Sequence, residues 1–329
     1  MRHALLTIIT AALPLGAQPK LLVNAQADTR SAAAGLEREF RVLVAAQPQP
    51  AWIGYSVPAV RGHNLGCDYV RDGVNGSGVV HLEPPDHAVI LFRVESNAVD
   101  RIRTVSPDCE IDGGGVPVHW LSDVKPAESV ALLATFIPQR EHFGDGMLSA
   151  IAVHADPTAD SVLEGFLKPD QPETLRERAV SWLVRTRGNR GIADAKNVIA
   201  NDPIERVRER AVSALGSSKQ QEAADLLVSI ARDNTNARLR AQAISGLARR
   251  QGPAVIPTLT NAVENDPDPQ VRRRAVAAMR NLPDGAGIPL LIQLVKTTKN
   301  AEVRKQAMNS LGQSRDPRAM AFFEEVLKR

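Results

Sequence analysis

The 329-residue sequence predicts a mainly helical protein, an α-solenoid of stacked helix pairs preceded by a small β-rich (α+β) N-terminal module. Three observations predict it. A nine-residue helical segment recurs five times with a constant period of thirty-two, starting at Leu175, Val207, Leu239, Val271 and Val303. A second apolar helical stripe lies between successive copies. Before residue 125 the pattern changes to short β-rich runs separated by Gly, Asp and Pro clusters. With 43% hydrophobic, 4% aromatic and 23% charged residues the chain is globular, which excludes collagen, coiled coil and bulk disorder. The net charge of +3 hides an asymmetry. Residues 1–155 carry 12 Lys and Arg against 16 Asp and Glu, and residues 156–329 carry 28 against 21.

Residues 1–27 read as a secretory signal: Met1-Arg2-His3 is a short basic start, Ala4–Ala12 an apolar run, and Ala25-Gln26-Ala27 a small-x-small cleavage pattern. Cleavage is expected after Ala27, with Ala17 as the competing position. No later stretch approaches the ~18 uninterrupted apolar residues of a membrane span, so the mature chain is expected to be exported, periplasmic or secreted. In an oxidising compartment an even pair of cysteines bonds to itself, so Cys67 and Cys109 are expected to form a disulfide. Closing that loop stabilises the fold by roughly 4 kcal/mol in the chain-entropy account. A metal site using these thiols with His63, His81, His87 or His119 lacks any CxxC, HxxxH or HExxH spacing.

Residues 28–50 are expected to be a helix and linker, with one helix over Thr29–Ala46 ended by Gln47-Pro48-Gln49-Pro50. Residues 51–124 form the β-rich module, with strands expected at Trp52–Val57, Gly78–Leu82, Ala88–Glu95, Val99–Val105 and Val116–Leu121. The continuous apolar run before Glu95 marks an interior strand, and the alternation of Arg101–Val105 marks an edge. A core this thin is expected to pack on the first repeat helices. Two segments stand out, one with Trp52 and Tyr55, the other Asp112-Gly113-Gly114-Gly115 followed by His119 and Trp120. Aromatics beside Gly-rich turns offer a groove, exposed Gly N–H groups an anion nest, and His119 near Asp112 a general base. The competing structural reading places both tryptophans in the core and the glycines in a turn.

Residues 125–329 carry the repeats. Within each copy the apolar positions fall at i, i+4, i+5 and i+8, one stripe of a helix. Between copies a second stripe recurs, as in Ile192, Ala195, Val198 and Ile199 or Ala223, Leu226, Leu227 and Ile230. Breakers mark the joints at Asp202-Pro203, Asp266-Pro267, Pro283-Asp284-Gly285 and Asp316-Pro317. One helix pair cannot bury its own apolar face, so the units must stack. One further step back in register lands on Phe143, and the repeat is expected to begin near Pro126.

The motif Asp-Pro-x-Val-Arg-x-x-Ala-x-x-Ala-Leu-Gly, matched nearly whole over Asp202–Gly216 and again from Asp268, resembles the short HEAT-like repeat also found in phycobilisome lyases. The resemblance, which extends to exported bacterial HEAT-repeat proteins, implies an armadillo-like scaffold that binds proteins, with a concave face lined by the second helices. It also implies that the column Arg176, Arg208, Arg240, Arg272 and Arg304 is structural, each pairing with a joint acid among Asp170, Asp202, Asp233 and Asp268. Two positions on, Arg178, Arg210 and Arg274 stand in a polar column off the apolar stripe. With Trp182 and Arg249 they are the expected contact surface for an acidic protein partner.

Catalytic motifs are missing: there is no GxSxG, no GxxxxGK[ST] and no GxGxxG before a helix. No cofactor, metal or nucleic-acid partner is expected. The functional expectation is therefore a non-enzymatic extracytoplasmic scaffold or adaptor binding a protein on the concave face. The alternative is an enzyme or enzyme subunit, lyase-like or hydrolytic, or a small-ligand sensor using the N-terminal module.

Overall fold

The computed structural model describes residues 22–61, 65, 67, 86–137 and 146–328. The signal segment up to residue 21, the strand expected at 78–82, His63, His81 and Phe143 lie outside them. The chain divides into two compact units, residues 1–160 and 161–329, with the division inside a helix at Pro157–Gly165. Among the described residues fourteen helices follow and flank seven strands. A mainly α fold with a small N-terminal sheet module is therefore the architecture.

The first unit is built on a five-stranded sheet in the order β2 (Gln26–Ser31), β7 (Pro117–Ser122), β3 (Ala51–Pro58), β4 (His87–Glu95), β5 (Ala98–Val105). A two-residue pair, β1 (Leu22–Val23) with β6 (Ile111–Asp112), lies beside it. β2, β7 and β3 run parallel, whereas β3, β4 and β5 form an antiparallel meander. Ser96 and Asn97, both at positive φ, make the tight β4–β5 turn whose twist matches the strands. As expected, β4 is interior and β5 is an edge. The helix expected over Thr29–Ala46 is shorter. Thr29–Ser31 is strand, and helix α1 covers only Leu36–Ala45. The reason is local: Ala32 N–H donates to Ser122 O in continuation of the β2–β7 ladder, and Gly35 at φ 126° reverses the chain before the helix starts.

One face of the sheet carries Ile53, Tyr55, Ile90 and Phe92, and α1, α2 (Pro126–Ala134) and α3 (Gly146–Ala152) cover it. Phe40 of α1 meets Phe92 at 4.7 Å between ring centroids, edge to face. The other face is held by Trp120, Leu91, Val89 and Val105 around the Cys67–Cys109 disulfide, whose Cα atoms are 5.4 Å apart. Gly54 makes this packing possible, because a Cβ there would lie 2.7 Å from Leu91 Cδ2 and 3.0 Å from Trp120 Cζ3.

The second unit contains the regular stack. After α4 (Pro157–Gly165) come α5 (Glu173–Thr186), α6 (Gly188–Asn201), α7 (Glu205–Ser217), α8 (Gln221–Asp233), α9 (Ala237–Leu247), α10 (Val255–Asn265), α11 (Pro269–Arg280), α12 (Gly287–Thr297), α13 (Ala301–Gly312) and α14 (Pro317–Leu327). The five recurring segments are the odd-numbered helices, which stack on one another, and the even-numbered helices form a second layer. Ala179, Ala211, Ala243, Ala275 and Ala307 are fully buried, because a methyl is all that fits between neighbouring helices. The Leu183, Leu215, Leu247, Met279 and Leu311 column fills the core beneath. Entry into three of these helices is fixed by side-chain caps, Asn236, Asp268 and Asn300, each accepting backbone N–H bonds from the first turn. Such a cap stabilises a helix by about 1 kcal/mol.

Candidate functional site

The joints explain the first arginine column. Asp202, Asn234, Asp266 and Thr298 occupy the same place in successive repeats, and each side chain accepts the N–H two positions on, at 2.9, 2.9, 2.9 and 3.2 Å. Into two of these turns a guanidinium from the preceding repeat inserts. Arg176 makes Nε–Oδ2 and Nη2–Oδ1 bonds of 2.9 and 3.2 Å to Asp202, and Arg240 makes the same pair to Asp266 at 2.8 and 2.9 Å. The remaining Nη1 group of each donates to carbonyls of its own entering joint, Pro169 and Gln171 for Arg176, Asn234 and Thr235 for Arg240. Asp266 holds the Arg240 guanidinium above its ordinary pKa, against the desolvation that opposes it. Arg272 and Arg304 keep the carbonyl contacts, to Asp266 O and Thr298 O at 2.6 and 2.5 Å. The column is structural, but its acids are Asp202 and Asp266. Asp268 instead caps α11, and neither Asp170 nor Asp233 forms a rung. At this joint the sequence expectation is Asp268 rather than Asp266, although Asp266 stands 26 residues after Arg240 just as Asp202 stands after Arg176.

Two positions on, the expected contact residues fall on one layer, the odd-numbered helices. Arg210 and Arg274 are exposed, and Arg178 and Trp182 are half-buried. Arg210 Nε donates to Ser181 Oγ of the neighbouring helix at 3.0 Å. The Arg185 guanidinium stacks over the Trp182 ring at 4.6 Å, and Arg249 is exposed just beyond the end of α9. The layer is not uniformly basic. Arg206 pairs with Glu177 at 2.9 Å and Arg238 with Glu205 at 3.0 Å, while two units further along the polarity reverses, Arg273 facing Glu302 at 3.7 Å. These pairs neutralise one row and leave the Arg210 and Arg274 row outside it.

In the first unit the residues that stood out are scattered. Tyr55 and Trp120 are buried in opposite faces of the sheet, and Trp52 packs half-buried against the cluster around the disulfide. Tyr55 Oη lies 2.8 Å from Ser129 Oγ, which lies 2.9 Å from His154 Nε2. His154 Nδ1 donates to Ala150 O at 2.7 Å, since a carbonyl only accepts, and Ser129 Oγ donates to Tyr55 Oη. Burial raises the Tyr55 phenol well above its ordinary range. All three side chains are enclosed, so the network ties α2 and the end of α3 to the sheet.

His119 and Asp112 are not brought together. His119 Nδ1 donates to Asp28 on the adjacent strand at 2.5 Å, and Nε2 accepts from Gln47 at 2.7 Å, which leaves no ring nitrogen for a substrate. Asp112 accepts from Asn24 at 3.1 Å and from Gly114 N–H at 2.8 Å. The glycine turn is likewise satisfied internally, with Gly113 N–H on Val23 O and Gly115 N–H on Asn24 O. An anion nest would need these groups unmatched. Among the described residues no cluster of three or more His, Cys, Asp or Glu is placed to hold a metal, and no helix is long and apolar enough to cross a membrane.

The model of the family described as HEAT repeats matches residues 154–248 and 256–329, together more than half of the chain. The chain belongs to the HEAT repeat family. HEAT repeats are commonly protein-interaction scaffolds, suggest protein partners and are generally non-enzymatic. No curated protein matches the chain. Among solved structures, one describing lipid–protein interactions in lipovitellin is similar over 57% of this chain at 15% identity and a TM-score of 0.39. This HEAT protein spans only 25% of that lipovitellin chain. Human deoxyhypusine hydroxylase in complex with glycerol is similar over 61% of this chain and 87% of its own, at 17% identity and a TM-score of 0.24.

Proposed function

We propose that this HEAT protein is an extracytoplasmic scaffold whose odd-numbered helices form the concave face that receives an acidic protein partner. The observation that carries the reading is the exposed row of Arg210 and Arg274, flanked by Arg249, on the layer whose helices approach most closely. A stack bends toward its more closely set layer, and a cationic row there steers an acidic surface into contact. The partner reads charge through Arg178, Arg210 and Arg274, and shape through Trp182 and the small residues beside it. The test is a crosslinking capture from envelope extract, run with the parent and with the Arg178→Glu, Arg210→Glu, Arg274→Glu variant. Capture by the parent that is lost in the variant and weakened by salt supports the reading, and equal capture by both overturns it.

Export is part of the proposal, and the fold bears on where the signal ends. β1 and the first two residues of β2, Gln26 and Ala27, lie on the signal side of a cut after Ala27, so that cut would remove Leu22–Val23 and divide the strand that pairs with β7. Cleavage after Ala17 leaves both strands whole and is the processing we favour. Mass measurement of the exported protein checks it. A first residue Gln18 supports this processing, a first residue Asp28 rejects it, and retention of Met1 in the cytoplasm rejects export altogether.

A further inference from the structure

The first unit contains a cavity that neither the scaffold surface nor the sheet core uses. It holds about 480 Å³ between α1, the β4–β5 hairpin and the end of α2. Phe40, Val44, Val99, Leu132 and Phe136 make the apolar wall, and Arg41 and Asn97 stand among the polar residues lining it. The volume falls in the range of small-molecule pockets, and the lining is mixed, apolar side chains alternating with polar groups.

Two features define what would fit. The wall is rigid where it matters: Phe40 is buried and packs edge to face on both Phe92 and Phe136, at 4.7 and 6.2 Å. Asn97 Nδ2 is committed to the α1 carbonyls of Ala45 and Val44, at 2.6 and 3.4 Å, so it fixes the hairpin against the helix and has no donor directed to a guest. The cation is different. Arg41 lines both this cavity and an adjoining depression bounded by Leu36, Arg38 and Ala131. Its partner is Glu37, one turn earlier on the same exposed helix face, at 2.6 Å. Pairs of this kind are weak and exchange readily for a better-placed anion.

The geometry points to a binding site for a small amphipathic carboxylate, its apolar body against the half-buried Val44, Val99 and Phe136, which Phe40 and Leu132 back from the core, and its carboxylate on the Arg41 guanidinium. A planar guanidinium receives a carboxylate through two parallel N–H bonds, which a neutral or cationic head group cannot match.

Isothermal titration of the full chain with decanoate, decanol and decyltrimethylammonium, each below its micelle concentration, tests the site. Saturable one-to-one decanoate binding is expected, with decanol weaker by about tenfold or more, in line with a charge-assisted pair. The Arg41→Gln variant should bring decanoate down to the level of decanol and leave decanol unchanged. The Ala45→Trp variant, at an exposed position on the cavity rim, should abolish both. Equal binding of the three probes, or decanoate binding that survives Arg41→Gln, overturns the carboxylate assignment. No saturable binding, or binding that survives Ala45→Trp, overturns the site.

Discussion

Arg240 and Asp266, far apart in sequence, share two hydrogen bonds of 2.8 and 2.9 Å with their side chains 9% and 5% exposed. The pair crosses from one helix to the joint that opens the next unit. Removing the acid leaves a largely buried guanidinium without its partner, so Asp266→Ala is expected to lower stability by about 3 kcal/mol or more, read as a shift in the denaturant midpoint.

The same ladder has an incomplete rung. Arg208 Nε is buried without an acceptor, and the joint position that answers it is Asn234, where the neighbouring units have Asp202 and Asp266. Asn234→Asp keeps the bond to Asn236 N–H and supplies the missing carboxylate. A stability gain of up to ~1 kcal/mol is expected at pH 7 and should vanish when Arg208 is changed to Gln, as a double-mutant cycle would show.

Gly54→Ala places a methyl against Leu91 and Trp120, where the nearest atoms leave 2.7 and 3.0 Å. Overpacking of this kind costs roughly 1–3 kcal/mol. The indole of Trp120 should report the displacement as a change in near-ultraviolet circular dichroism, whereas Gly165→Ala, with open space around its Cβ, serves as the neutral control.

Reduction of Cys67–Cys109, or its replacement by serines, is expected to destabilise the first unit by roughly 2–4 kcal/mol, since the bond closes a loop with a sequence separation of 42. Thermal unfolding with and without reductant measures it. An unchanged midpoint would show that the cluster of Trp120, Leu91 and Val105 stands without the bond.

Glu128 accepts the Leu36 N–H at 2.8 Å and so supplies the cap that α1 lacks from its own sequence. That bond, helped by Lys125, holds the carboxyl below its ordinary value of 4.5. A depressed folded-state pKa gives stability that is fully present above 4.5 and is lost as pH falls through the lower folded value. Stability of the first unit should therefore decline on acidification below about pH 4.5 in the parent, and decline less in Glu128→Gln.

The solenoid was legible because its signal is redundant: one column of alanines, one of leucines and one of arginines, each recurring once per repeat, tie a residue type to one packing environment. The strands at Ala51–Pro58, His87–Glu95, Ala98–Val105 and Pro117–Ser122 were legible from β-rich runs bounded by turn residues. Thr29–Ser31 was not, because an edge strand whose six residues are all exposed carries no apolar alternation, and only its ladder to β7 makes it a strand. His119 was singled out for its proximity in sequence to Asp112, yet its partner Asp28 is remote in sequence and meets it through parallel pairing of β2 and β7. The role of the Arg176 and Arg240 column was anticipated through resemblance, while the alternation of Asp and Asn or Thr along the joints shows only when the joint position that faces each guanidinium is known. The exposure of Arg210 and Arg274 followed from helical phase alone.

Gly216 and Gly246 bring two odd-numbered helices so close that a methyl on either would lie 3.0–3.2 Å from the other's Cα. The contact acts as one close turn of a spring. Arg210 lies on one side of it and Arg274 on the other, so the pitch at this point sets how far apart those two cations stand. An alanine at Gly216 would be a shim a few tenths of an ångström thick, small locally but magnified along the lever arms of both helices. The span between the two charges is thus adjustable by one carbon atom at a place no partner needs to touch.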